Sequence, residues 1–405
     1  MPKTLTSNLR ALAIRFKHNT LLWWSVGLVT VWRILLEIVN QVVAHVFYHQ
    51  SPNITNLNYW AGWDGGWYLS INNPGYEHLY GAMRQGNVAF FPAFPEIVSF
   101  LSRLLHIDYV YVGLALNFLL TIGLVYIFMK LAQLLISRFA AASKHQNTIV
   151  LVSALALLAY PSSFFLAAYY AEALLIFTTV SAIYYTLKGK LLWAVPFLAV
   201  GTASKVTGTI VVAVCMAIVL EQWWTKKQPW RMLAKGLSII SLGLSGLLAY
   251  MTYLWVSFGD PLLFYKIQKL WGRNDDQFFL SRLWNDYYMH FFDPVHFKSK
   301  FIFLVYLFVM ILPFIVAAGA WLTWRKYKIL WPTVLVFLTL ALPLSTGMME
   351  SLNRYCLVLA PLIPLVVIWA YTKFKPIVLY SLLVLSGITM LVFAHGFFRQ
   401  GLFAG

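Results

Sequence analysis

The chain has 405 residues, of which 61% are hydrophobic and 11% charged, and its mean hydropathy is +0.73. Apolar runs of about 17 to 25 residues match the thickness of the hydrocarbon core of a bilayer, which excludes an ordinary soluble domain. The net charge of +17 comes from short basic clusters between these runs, a distribution typical of membrane topology, so no nucleic-acid partner is predicted.

The apolar runs predict an all-α, polytopic transmembrane protein in which residues 1–405 form a single integral membrane domain. We expect about eleven spans, near residues 21–46, 109–136, 148–162, 170–186, 191–203, 206–224, 233–257, 301–324, 329–345, 355–372 and 376–397. With the N-terminus in the cytoplasm, the compact basic clusters between spans all lie on the cytoplasmic side, as the positive-inside rule requires.

Two long segments, approximately 47–108 and 258–300, then lie outside the cytoplasm, and both are rich in Trp, Tyr and Phe, as is typical of the headgroup layer. In the first segment Asp64 is the lone carboxylate of a run of aromatic and small residues, 60–68. Two interpretations remain open. Asp64 either caps a short helix that stops at Asn73-Pro74-Gly75, or it belongs to a functional site.

Three further charged residues lie where helices begin or are interrupted. Residues 160–163, Tyr-Pro-Ser-Ser, and the position of Lys205 interrupt apolar runs, and interrupted helices at membrane depth tend to line a cavity. Glu172 stands at a helix start, where the dipole favours an acid, so it is either structural or faces that cavity. Lys205 is costly there unless paired or solvated. Arg354 stands near a helix start that disfavours a cation, which indicates a partner.

Other polar pairs favour simpler interpretations. Arg33 and Glu37 are spaced i, i+4 in the first span and are predicted to pair with each other. His45 and His49 have the same spacing, but no third ligand accompanies them, so no metal site is predicted. The chain contains neither a DxD sequence nor a glycine-rich phosphate-binding motif, which disfavours nucleotide sugars, and no cofactor is expected.

Several motifs together resemble the PIG-V mannosyltransferase family. The pattern Trp63-Asp64, Trp67-Tyr68, Ile71, Gly75-Tyr76 and residues 90–95 is similar to that family's first extracytoplasmic loop. The resemblance extends to residues 161–174, to Lys205 and to Asn353-Arg354-Tyr355. Eukaryotic members add the second mannose during GPI-anchor assembly, and the family has prokaryotic relatives. The resemblance implies a GT-C type of fold, a polyprenyl-phosphate-linked sugar donor and inversion of the anomeric centre outside the cytoplasm.

The resemblance also implies roles for individual residues. Inversion needs one base that accepts the proton of the attacking hydroxyl, and Asp64 is the candidate. The leaving group is a lipid phosphate that requires charge stabilisation, which Lys205 or Arg354 would supply. The predicted substrate-binding residues are Trp63, Trp67, Tyr68, Glu172, Lys205, Asn353 and Arg354. The implied partners are the lipid-linked sugar donor, a lipid or glycan acceptor and membrane lipid.

A membrane transporter or lipid flippase is the alternative, because interrupted helices and buried charges are expected there too. It predicts inverted-repeat halves, and the sequence shows no internal similarity. A non-catalytic subunit would be indicated by a degraded Asp64 loop, which is intact here. The enzyme hypothesis places Asp64 on a cavity with Glu172, Lys205 and Arg354 around it, in the plasma membrane of a prokaryote or the endoplasmic reticulum of a eukaryote.

Overall fold

The computed structural model describes residues 3–48, 57–77, 86–271, 317–319, 321, 324–346 and 351–398, and within these ranges every regular element is helical. The helices are α1 Lys3–Tyr48, α2 Asp64–Asn72, α3 Ala93–Leu105, α4 Tyr109–Phe139, α5 Gln146–Leu158, α6 Glu172–Leu187, α7 Leu191–Ser204, α8 Gly208–Thr225, α9 Trp230–Ser241, α10 Ser245–Phe258, α11 Leu263–Lys266, α12 Trp331–Thr346, α13 Leu352–Tyr355, α14 Ile363–Lys373 and α15 Pro376–Phe398. His49, most of the segment 258–300 and most of the predicted span 301–324 lie outside the described residues.

The described helices support six spans by length and composition, so the predicted count of eleven is not confirmed. The six are Thr20–Val42, Tyr109–Phe139, Gly208–Thr225, Trp230–Phe258, Leu352–Lys373 and Pro376–Phe398. Four more predicted spans correspond to shorter apolar helices, namely Gln146–Leu158, Glu172–Leu187, Leu191–Ser204 and Trp331–Leu342. At a rise of about 1.5 Å per residue these do not reach across a hydrocarbon core of roughly 30 Å.

Helix α6 is the centre of the molecule. Thirteen of its sixteen residues are buried, and it packs against α4, α7 and α8. A helix that is apolar on every side is stable either in lipid or among other helices, and the contacts of α6 show that it lies inside the bundle. Its first residue, Glu172, is therefore carried into the interior.

The chain between α5 and α6 is buried although most of it is not α-helical. Residues 161–176 are all buried, and only Ser163–Leu166 form a 3₁₀ turn before α6 begins. Its carbonyls find partners on α4. Asn117 Nδ2 donates to the carbonyl oxygens of Ala168 at 2.5 Å and Tyr170 at 2.9 Å, and Thr121 Oγ1 donates to that of Leu166 at 3.2 Å. Irregular backbone persists inside a membrane protein only when protein groups satisfy it in this way.

Helix α2 and the residues just before it are hydrogen-bonded to the same buried segment. The amide nitrogen of Tyr169 donates to the Trp60 carbonyl at 2.9 Å, and the Tyr170 hydroxyl donates to the Gly62 carbonyl at 3.0 Å. The Tyr169 hydroxyl also donates to Asn72 Oδ1 at 2.5 Å. Both ends of α2 are thus fixed relative to the start of α6.

Candidate active site

Asp64 is the first residue of α2 and follows a strained turn. Residues 62–65 form a turn closed by Gly65 N donating to the Gly62 carbonyl at 3.0 Å. Trp63 has φ 55° and ψ −124°, the conformation of the first central residue of a type II′ turn, where glycine is preferred. Trp63 occupies the N-cap position of α2, so the interpretation of Asp64 as the cap is wrong. The Asp64 carboxylate instead meets Arg354, with 2.7 Å between Oδ2 and Nη2.

Glu172 joins two cations from different parts of the chain. Its Oε1 lies 2.6 Å from Lys205 Nζ and 3.5 Å from Arg354 Nε. Lys205 is placed by the break between α7 and α8, as the sequence predicts. That break is very tight, because a Cβ on Gly208 would lie 2.2 Å from the Gly201 carbonyl oxygen. The two helices therefore approach closely at the position that aims Lys205 inward.

Arg354 is held in place by its own helix and by aromatic rings. Its guanidinium carbon lies 5.2 Å from the centre of the Phe165 ring and 5.5 Å from that of Tyr170. The adjacent Asn353 anchors α13 to the segment between α5 and α6. Its carbonyl accepts from the Tyr160 hydroxyl at 2.9 Å, and its Oδ1 accepts from Ser162 Oγ. These two oxygens of Asn353 therefore have a structural role.

The four charged residues form one linear series, Asp64–Arg354–Glu172–Lys205, which we call the ion-pair chain. Two carboxylates and two cations give it no formal net charge. Its inner members are buried, with 8% of the Arg354 side chain and 2% of the Glu172 side chain exposed. Its outer members are more open, at 29% for Asp64 and 17% for Lys205. The chain therefore presents a carboxylate at one end and an ammonium group at the other.

The three predicted aromatic residues next to Asp64 in the sequence differ in their surroundings. Trp63 is 40% exposed. Trp67 stacks on Phe90 with 6.1 Å between ring centres. Tyr68 is buried, and burial followed by the nearby Glu172 and Asp64 carboxylates raises its pKa well above the usual value, so its hydroxyl stays protonated. Trp63 is the most exposed of these three predicted residues, Trp67 is partly buried and Tyr68 is buried.

A separate apolar cavity of about 630 Å³ is lined at one end by Tyr160 and by Cys356, which follows α13. Tyr327 and Trp369 also line it. The rest of its wall comes from α5, the 3₁₀ segment Cys356–Leu362, α14 and α15, with Ala318 and Gly319, and is almost wholly hydrocarbon. Such a space suits a long apolar group.

Arg33 and Glu37 meet at Trp60 rather than pairing directly as predicted. The Arg33 guanidinium carbon lies 3.7 Å from the centre of the Trp60 ring. Glu37 Oε2 accepts from Trp60 Nε1 at 3.2 Å, and its Oε1 accepts from the Tyr59 hydroxyl and from Gln41. Both charged residues thus anchor the loop that leads to Asp64. The sequence did not indicate this role, because Tyr59 and Trp60 lie 22 and 23 residues after Glu37.

Sequence reasoning also missed Asn117 and Thr121, which support the buried segment. A signal was present, because polar side chains spaced i, i+4 within a 31-residue apolar helix usually face a protein interior rather than lipid. Tyr170, which contacts both Gly62 and Arg354, carried no comparable signal among the many tyrosines of the chain.

Fold and site together define a multi-pass helical membrane protein with a charged centre where several helices are interrupted. The profile of the family described as Mannosyltransferase (PIG-V) matches residues 35–267, which is more than half of the chain. The chain therefore belongs to the PIG-V mannosyltransferase family and is a glycosyltransferase. The match includes Asp64, Glu172 and Lys205, whereas Asn353 and Arg354 lie beyond it. Comparison with curated proteins finds no match.

Proposed function

We propose that the protein transfers a sugar, mannose by its family, from a polyprenyl phosphate to a hydroxyl of a membrane-associated lipid or glycan acceptor, with inversion of the anomeric carbon. The ion-pair chain is the observation that carries this proposal. It places one carboxylate and one ammonium group at the two open ends of a single series, which are the two groups that the reaction requires.

Asp64 is the proposed general base. The acceptor oxygen attacks the anomeric carbon while its proton passes to the Asp64 carboxylate, and the bond from that carbon to the phosphate oxygen breaks with its electron pair. A carboxylate sealed inside an ion pair would be a poor candidate. Asp64 is paired on one side with Arg354 but keeps 29% of its side chain exposed. Trp63, Trp67 and Tyr68 are proposed to shape the acceptor position.

Lys205 is the proposed contact of the donor phosphate. It is the more exposed of the two cations, and a compact ammonium group on a flexible stem binds phosphate as a point charge. The leaving polyprenyl phosphate gains negative charge as the bond breaks, so a cation there stabilises the transition state. Glu172 orients Lys205 through the 2.6 Å ion pair.

The apolar cavity supports a lipid-linked donor over a nucleotide sugar. It begins next to α13, which carries Arg354, and continues along α14 with a hydrocarbon wall. An isoprenoid chain matches that wall, whereas a nucleotide would leave its polar atoms without partners. By the positive-inside rule the N-terminus is cytoplasmic and the reaction takes place on the opposite side of the membrane.

The proposal is tested by incubating the purified protein with polyprenyl-phosphate-mannose and a membrane lipid extract, followed by mass spectrometry of the products. We expect an acceptor to gain one hexose only when the lipid-linked donor is present. A parallel reaction with GDP-mannose serves as the control. Transfer from GDP-mannose alone, or no transfer from the lipid-linked donor to any component of the extract, would overturn the proposal.

A further inference from the structure

Two polar atoms at the centre of the ion-pair chain lack a hydrogen-bond partner among the described residues. They are Arg354 Nε and Glu172 Oε2, and both are buried. An unpaired buried donor or acceptor is costly, so two of them side by side favour any rearrangement that pairs both.

The unpaired atoms belong to residues that already lie close together. Arg354 Nε is 3.5 Å from Glu172 Oε1, too far for a good hydrogen bond. Arginine and glutamate prefer a bidentate fork with two parallel hydrogen bonds, which requires the guanidinium edge and both carboxylate oxygens. Here that fork is not formed, because Arg354 is ion-paired with Asp64 and Glu172 accepts from Lys205.

We propose that the ion-pair chain is a two-state relay that releases Asp64 only when donor phosphate is bound. Phosphate draws Lys205 Nζ away from Glu172. Glu172 then takes Arg354 in the bidentate fork, which satisfies both unpaired atoms, and Arg354 leaves Asp64. No covalent bond changes in this step. Arg354 and Glu172 are thus positioning residues, and the base becomes available in response to the donor.

The relay rests on the proposed function and adds an order of events to it. In the observed state Asp64 is paired with Arg354, so an acceptor hydroxyl meets a carboxylate that is already engaged in an ion pair. Donor phosphate changes the partner at the far end of the chain, three contacts away. Both arrangements use the same four side chains, and such an element with two discrete states can couple two separate sites.

The relay is tested by chemical labelling of Asp64, which needs no transfer reaction. The purified protein is treated with a carbodiimide and an amine nucleophile, and modification of the peptide that contains Asp64 is quantified by mass spectrometry, with and without decaprenyl phosphate. We expect decaprenyl phosphate to raise the labelling rate of Asp64 roughly fivefold or more, the lower end of typical coupling between sites. Asp260, in an exposed pair with Lys266, is the internal reference and should not change.

Two variants are expected to change the labelling of Asp64 in opposite directions. Lys205→Met removes the partner of Glu172 and should leave Asp64 readily labelled even without phosphate. Glu172→Gln cannot form the charged fork and should keep Asp64 slowly labelled with or without phosphate. Lys188→Met, at an exposed lysine that contacts neither the ion-pair chain nor Asp260, is the matched control and should behave like the wild type. A merely structural ion-pair chain would not give opposite changes at Asp64.

The outcomes separate the relay from the proposed function. The relay holds if decaprenyl phosphate raises Asp64 labelling in the wild type and Lys205→Met raises it without phosphate. It is overturned if either change is absent, even when Glu172→Gln does not fold. Hexose transfer by the wild-type protein decides the proposed function separately, whatever the labelling shows.

Discussion

Lys205 and Asp64 are the two open residues of the ion-pair chain, and they are expected to fail in different ways when changed. Lys205→Ala removes a charge-assisted contact with the donor phosphate, worth about 1.5–3 kcal/mol, so kcat/KM for the lipid-linked donor should fall roughly 10- to 100-fold. Initial rates at varied donor concentration measure this. Lys266→Ala, at an exposed ion pair, is the control, and an unchanged kcat/KM for the donor in Lys205→Ala would refute the phosphate contact.

Trp63 combines an exposed indole with a backbone conformation that favours glycine. Trp63→Gly should therefore relieve strain of the order of 1–3 kcal/mol while removing a side chain that is 40% exposed. We expect the unfolding temperature to stay level or rise and sugar transfer to fall, because the indole is proposed to contact the acceptor. Thermal unfolding and the transfer assay are measured on the same preparation. A lower unfolding temperature with unchanged transfer would show that Trp63 is structural.

The charged residues of the site were predictable from sequence because charge inside apolar segments is costly and must be explained. Asp64, Glu172, Lys205 and Arg354 all stand at a helix start or interruption, and the structure brings them together. Their pairing order was not predictable. Nothing in local sequence says that Arg354 reaches Asp64, since the two are far apart in the chain and meet only through the packing of α2, α6 and α13.

At the scale of elements, the buried segment between α5 and α6 depends on α4. Asn117→Leu keeps the approximate size of the side chain but leaves the carbonyls of Ala168 and Tyr170 without their donor. At about 1–3 kcal/mol for each unsatisfied group, the protein should be clearly destabilised, and a lower unfolding temperature in detergent would show it. Thr252→Ala on the exposed face of α10 is the control. Equal stability of Asn117→Leu and the control would contradict this account.

Helix positions were predictable where apolar runs are long, and less so where they are short. The spans near 109–136 and 376–397 correspond to α4 and α15 within a few residues. By contrast, residues 159–171 carry the same apolar composition as their neighbours but contain no α-helix, because tertiary partners replace the helical hydrogen bonds. Composition alone does not reveal such partners, and this is why the predicted spans 148–162 and 170–186 correspond to the shorter helices α5 and α6.

At the scale of the whole molecule, the apolar cavity is expected to select for a long donor chain. Ala156→Phe places a ring into the cavity wall and should raise the KM for a long polyprenyl donor more than the KM for a donor of two isoprene units. The ratio of the two KM values measures the effect of chain length independently of any general loss of folded or active protein. Leu248→Phe, at an exposed apolar position, is the control. Equal changes for both donors would show that the lipid chain binds elsewhere.

Asp64 is proposed as the base of sugar transfer, and the variant Asp64→Asn tests this role. Asparagine keeps the size of the side chain and an oxygen that accepts from Arg354, but it does not accept the proton of the acceptor hydroxyl. At saturating lipid-linked donor, we predict that turnover falls by about 10² to 10⁴ while the protein elutes and unfolds like the wild type. An Asp64→Asn protein that folds normally and transfers sugar at a near wild-type rate would contradict the account.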